Sequence, residues 1–396
     1  MSDYYQACYA HPDTGWAVVN ISSDTPKSLV EDFSLIERTN AGLSSNKTVP
    51  MGASENPSCM FEIYCRNDAV GLVRTQYSIS DSQGRPISFS HGYIFTNAYE
   101  ILKDPNNILR ISSANFSDKR ISDEEKAAIR STPGELNREL IKRAVPDDIY
   151  GELILREPFG VEESLKTCGL DDNSYMKYML AVYSHLLATN TDKNLYIKTD
   201  GSEKYAWNLM YLTYIAVPYS MRPLLNCSTL LHLEQHNSKM IFCYETPDGV
   251  PYINPVTGEN NVMSDVVEKR IRDRNPFIEK IMEFIHKGNQ KALYDAIETC
   301  LRIMGDTQLN TMQVINLSYS LLTKEHEKAD RLPGIIYSWM VLPVSNSKNW
   351  ESTAITFLNN AERLGIKFGD EVKSVMRNRL EGAVTEDFVT LVNKVL

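Results

Sequence analysis

Short apolar runs separated by polar, turn-forming residues make roughly the first 115 residues read mostly as strand. Gly15 to Ile21 (GWAVVNI), Cys59 to Cys65 (CMFEIYC), Gly71 to Ile79 (GLVRTQYSI) and Ile87 to Phe95 (ISFSHGYIF) are rich in β-branched and aromatic residues and are bounded by Gly, Pro, Asn, Asp and Ser. That composition predicts strands. A helix is expected at Ser28 to Arg38, followed by a polar surface loop from Asn40 to Pro57. Two capping signatures come next, Ser122 with Glu125 and Thr132 with Pro133 and Glu135. Each sets a side-chain acceptor and a carboxylate near the orphan amides of a first helical turn.

The rhythm changes after the breaks at Val145-Pro146-Asp147-Asp148 and Glu157-Pro158-Phe159-Gly160. A helix over Ser174 to Thr189 leads to a short strand, Asn194 to Lys198, then a long apolar helix, Lys204 to Val217. Strand-like segments LLNCSTLLHLE and Lys239 to Tyr244 follow, and Asp248 to Val262 reads as loop. Strand, loop, helix, strand is a βαβ-type order. From Asn275 the apolar positions fall at helical spacing, with candidates at Phe277 to Ile285, Leu293 to Met304, Leu309 to Glu325, Trp350 to Leu364, Gly369 to Leu380 and Thr385 to Leu396. No fixed repeat period emerges. The expected fold class is α+β, in three parts: a strand-rich α+β N-terminal module over 1–155, a small α/β middle module over 156–265, and an all-α bundle or solenoid-like region over 266–396.

Composition narrows the function classes. Hydrophobic residues make up 42% of the 396 and charged residues 23%, which suits a folded globular chain. A net charge of -10 argues against a broad phosphate-binding surface, so nucleic acid is not an expected partner. The seven cysteines are scattered without a C-x-x-C pair, as for reduced thiols in a cytoplasm. No run of about 18 apolar residues occurs, and no membrane partner is expected.

Candidate chemistry is sparse. In the hairpin predicted around Gly84, alternation sets Ile87, Phe89, His91 and Tyr93 on one face and Ser88, Ser90, Gly92 and Ile94 on the other. His91 then shares a face with aromatic side chains, where a histidine is more often a hydrogen-bonded core residue than a catalyst. His232 and His236 flank Glu234 in HLEQH, but in a strand context that spacing makes no chelating pair, and no metal is expected. The loop Thr199 to Lys204 carries neither phosphate-binding glycine motif, and Ser202 reads as a helix N-cap. No G-x-S-x-G and no catalytic cysteine setting is present, so no catalytic residue is assigned and no cofactor is expected.

Three stretches taken together do resemble a family. YYQACYAHPDTGWAVVNIS (4–22), SDSQGRPISFSHGYIF (80–95) and AVPYSMRPLLNCSTLL (216–231) are similar to the N-terminal and middle domains of the GTPase-associated protein 1 family of bacterial conflict systems. The chain departs from that pattern at Ile87-Ser88, where the family usually has Gly-Asn after GRP, and at Cys227, where an aromatic commonly stands. The resemblance implies a cytoplasmic, non-enzymatic adaptor in anti-phage defence whose protein partner is a GTPase or another NTPase. It also singles out Arg85, His91 and Arg222 as the matched polar positions, candidates for a binding surface. The alternative is a hydrolase-like effector enzyme with a site around His91.

Overall fold

The structure, a computed structural model, describes residues 4–10, 17–22, 25–26, 28–29, 59–66, 68–78, 87–116, 153–187, 194–217, 219–229 and 239–263. Beyond these it describes scattered positions in 269–302, then 350–365, positions in 369–378, and 386–395. The chain divides into two units, Met1–Met263 and Ser264–Leu396.

The first unit is mixed α and β. Its strands are β1 (Tyr4–Ala10), β2 (Ala17–Ile21), β3 (Cys59–Arg66), β4 (Ala69–Ser78), β5 (Ile87–Thr96), β6 (Leu195–Lys198), β7 (Cys227–Thr229), β8 (Met240–Cys243) and β9 (Tyr252–Ile253). They form one nine-stranded sheet in the order β2-β1-β5-β4-β3-β7-β8-β6-β9. Neighbours are antiparallel from β2 across to β7 and parallel from β7 to β9. Both segments expected as separate modules, 1–155 and 156–265, therefore contribute strands to the same sheet.

The seam between the two halves is β3 against β7, where Glu62 lies opposite Ser228 and Ile63 opposite Cys227. So short a ladder is lengthened by side chains at both ends. Thr229 Oγ1 accepts from Phe61 N at 2.9 Å, and Asn226 Oδ1 accepts from Cys65 N at 2.9 Å. These two amides of the longer strand, which outrun the backbone of β7, thus keep an acceptor.

The helices of this unit are α1 (Ala98–Lys103), α2 (Asn106–Leu109), α3 (Val161–Cys168), α4 (Asp172–Leu187) and α5 (Glu203–Ala216). β6, α5 and β7 make the expected βαβ unit, with β8 lying between its two strands. Every residue of α5 from Tyr205 to Ala216 is buried, as its all-round apolar sequence requires. Helix α4 is bonded to it through tyrosine hydroxyls: Tyr175 donates to Leu212 O at 2.7 Å, Tyr183 donates to Ala216 O at 2.7 Å, and Tyr178 pairs with Thr213 Oγ1 at 2.6 Å. Helix α3 ends at Gly169, whose φ of +63° closes it in a left-handed cap that a residue with Cβ resists.

Some expectations shift. β1 was not among the predicted strands: YYQACYA lies between β2 and β5, both its faces meet other groups, and alternation is erased. Helices α1 and α2 are each too short to display an amphipathic period, whereas α3 does display one, burying Ser164, Leu165 and Cys168, and follows directly on the Glu-Pro-Phe-Gly break. The loop expected over Asp248 to Val262 contains β9, a two-residue strand too brief to carry a pattern. The helix expected at Ser28 to Arg38, the capping signatures at Ser122 and Thr132, and Leu309 to Glu325 fall on residues that are largely or wholly outside those described.

In the second unit the described elements are helical. α6 (Trp350–Arg363) buries Leu358 and Ala361, and α7 (Glu386–Val395) reaches it through a Lys394–Glu362 ion pair of 2.9 Å. Among the described residues no helix is long and apolar enough to cross a membrane.

Candidate functional site

His91 sits in the middle of β5, opposite Cys8 of β1 on one side and Arg74 of β4 on the other. It is 1% exposed. Its Nε2 donates to Gln6 Oε1 at 3.0 Å, and its ring lies 5.2 Å from that of Tyr93 and 5.5 Å, edge to face, from that of Phe116. Burial, and secondarily the Arg74 guanidinium, hold its pKa down to about 4. The imidazole is neutral at physiological pH. Both faces of the sheet are filled at this level, because Ser90 and Thr75 on the other side are buried as well and share a 2.8 Å hydroxyl pair.

Arg222 is 0% exposed and lies in a 3-10 segment, Tyr219–Leu224. Its guanidinium ties together the ends of two helices. Nη1 donates to Leu102 O at 2.5 Å and Lys103 O at 2.8 Å in the last turn of α1; Nε donates to Val217 O at 2.9 Å and Nη2 to Ile215 O at 3.4 Å at the end of α5. Helix C-termini present unpaired carbonyls and partial negative charge, which a planar, multi-donor cation matches well. Arg85 and the turn around Gly84 lie outside the described residues, as do His232 and His236. His91 and Arg222 thus occupy separate surroundings, one inside the sheet and one between helix ends.

Among the described residues a cleft lies elsewhere, at residues that read as a boundary in the sequence. A cleft of about 420 Å³ opens between the extended strap 154–159, the first turn of α3 and the first turns of α5. Side-chain amides hold the strap as strand surrogates. Asn115 Nδ2 donates to Ile154 O at 2.7 Å while its Oδ1 accepts from Ile154 N at 2.8 Å; Asn106 does the same for Phe159, at 3.2 and 2.8 Å. Between them Arg156 N donates to Arg110 O at 2.7 Å, and Arg110 Nε donates to Arg156 O at 2.8 Å. Residues 106–115 therefore act as a template that fixes the strap from end to end.

The wall toward α5 is an aromatic and ionic assembly. Arg156 stands over the Trp207 ring, 5.0 Å from its centroid, and its Nη2 meets Glu203 Oε1 at 2.6 Å. The same Glu203 oxygen accepts from Trp207 Nε1 at 2.8 Å. Phe159 stacks on Tyr211 with centroids 5.7 Å apart. Asn208 is buried, accepts from Ser164 Oγ at 2.8 Å and donates to Lys204 O at 2.8 Å, locking α3 to α5 beneath the opening. The helix start expected at Ser202 is there: its Oγ accepts from Tyr205 N at 3.1 Å, and Asp200 Oδ1 accepts from Ser202 N at 2.8 Å.

His91 and the cleft are joined by rings. Phe116 meets Phe61 at 5.6 Å, and Phe61 meets Trp207 at 5.1 Å, both edge to face. This row runs from β5 through β3 to α5, so the sheet interior supports the cleft floor.

The remaining reactive groups are subdued. Cys65, Cys168 and Cys243 are buried, and burial pushes each thiol up to about 12. Among the described residues no group of three or more His, Cys, Asp or Glu side chains could hold a metal ion.

No family model matches the chain, and no curated protein matches it.

Proposed function

We propose that the chain is a cytoplasmic, non-enzymatic adaptor or regulatory partner of a GTPase or other NTPase in a bacterial conflict system, the role implied by its resemblance to the GTPase-associated protein 1 family. In this reading a strand-rich N-terminal part, a β/α middle part and a helical C-terminal region together present surfaces to a protein partner. The observation that carries it is the packing of His91. An effector enzyme built around this histidine needs it in a pocket, close to the proton it moves. Instead the ring is sealed among Gln6, Tyr93 and Phe116 and stays neutral. Arg222 is likewise buried, its donors facing the ends of α1 and α5, so in this reading the partner surface is formed by residues other than His91 and Arg222.

The test is co-purification of the tagged full chain from its native host, with proteins identified by mass spectrometry. An NTPase recovered in a fixed ratio to the chain is the expected result. Recovery of the chain without any NTPase, together with loss of host phenotype in a folded His91→Gln variant, overturns the reading and returns attention to a substrate.

A further inference from the structure

We propose that the cleft beneath strap 154–159 receives an arginine or lysine side chain from a protein partner; the identity of the partner rests on the adaptor reading, the cation chemistry does not. One observation is shape: about 420 Å³ of open volume framed by a strap that Asn106 and Asn115 hold along its length. A pocket built on fixed backbone loses little entropy when it fills.

A second observation is that this wall already binds a guanidinium. Arg156 lies over the Trp207 face with its Nη2 on Glu203, the combination of ring quadrupole and carboxylate that suits a basic group. Because Glu203 offsets Arg156, the charges left on the lining are the exposed Glu157 and Glu163 against Lys204, a net negative balance. Neither Glu157 nor Glu163 has an ion-pair partner among the described residues. An anion entering here meets a lining whose carboxylates outnumber its cations. A basic side chain meets those carboxylates and the apolar surface of Phe159 and Pro158, which accepts its methylene stem.

A nuclear magnetic resonance titration of the full chain tests this, following the Trp207 indole N–H resonance. The probes are N-acetyl-arginine amide, its neutral isostere N-acetyl-citrulline amide, and N-acetyl-aspartate amide. The expected result is a saturable shift with the arginine amide and none with the citrulline or aspartate amides. Glu163→Gln and Glu157→Gln, each with the rest of the spectrum unchanged, are each expected to weaken the arginine response about two- to fivefold, the scale of one exposed ion pair. Absence of a saturable shift, an equal response to citrulline, or a response to aspartate alone overturns the proposal. An NTPase that co-purifies with a chain indifferent to the arginine amide leaves the adaptor reading standing and removes this site; arginine binding without a co-purifying NTPase does the reverse.

Discussion

At the residue scale, His91 and Arg222 are polar groups used for construction. His91 gives a pH signature with a defined sign. Its folded pKa is about 4 against an ordinary 6.5, so between those values the unfolded chain binds a proton that the folded chain refuses. The contribution is complete above about pH 6.5 and is lost as pH falls toward 4, amounting to about 3 kcal/mol. Urea denaturation of the full chain is expected to show wild type losing more stability than His91→Gln between pH 6.5 and 4.5; parallel curves contradict the sealed-imidazole description. Arg222 answers to a different measurement. Arg222→Leu strands helix-end carbonyls in a dry site and is expected to cost about 3 kcal/mol, read from the same denaturation at neutral pH. Arg222→Lys should recover only part, because a point charge cannot span four carbonyls.

At the element scale, the strap is the part whose behaviour is easiest to isolate. Asn106→Ala and Asn115→Ala each remove two amide contacts to its backbone, at Phe159 and Ile154 respectively. At about 1–2 kcal/mol per pair of bonds, exchange of the Phe159 or Ile154 amide is expected to quicken about tenfold, with the α5 amides unaffected. Equal acceleration throughout the unit means that the strap is not a separate element. The sequence is informative about such elements in proportion to their length and burial asymmetry. β5 announces itself through a period-two run, β3 and β4 through β-branched and aromatic composition, and α5 through a mostly apolar stretch bounded by Ser202 and Val217. The strap does not, because its partners lie some forty residues earlier and combine the backbone of Arg110 and Ser112 with the side chains of Asn106, Arg110 and Asn115, and Glu-Pro-Phe-Gly looks like a linker when its partners are unknown. Trp207 is equally silent, one aromatic among many in α5, and only the fold sets Arg156 over it.

At the scale of the whole molecule, the continuity of the sheet matters most. The antiparallel half and the parallel half meet at β3 and β7, so the residues singled out by family resemblance on either side belong to one unit. The composition pointed to a boundary near residues 145–160, where turn-forming residues cluster. Sheet continuity could not be read there, since the β3–β7 pairing spans more than 160 positions along the chain and involves only three residues of β7. The seam is expected to couple the halves: Thr229→Val removes the hydroxyl that extends this ladder and should lower stability by about 1 kcal/mol, with a single unfolding transition for the sheet. Two separated transitions indicate halves that fold independently.

The most direct measurement is the NTP hydrolysis rate of the co-purified NTPase, titrated with the purified chain as wild type and as His91→Gln, alongside each chain alone. A regulatory partner changes the NTPase rate saturably near equimolar ratio, does so equally with the buried histidine replaced, and turns over no nucleotide by itself. Turnover by the chain alone that disappears in a folded His91→Gln variant contradicts it and makes His91 part of an active site.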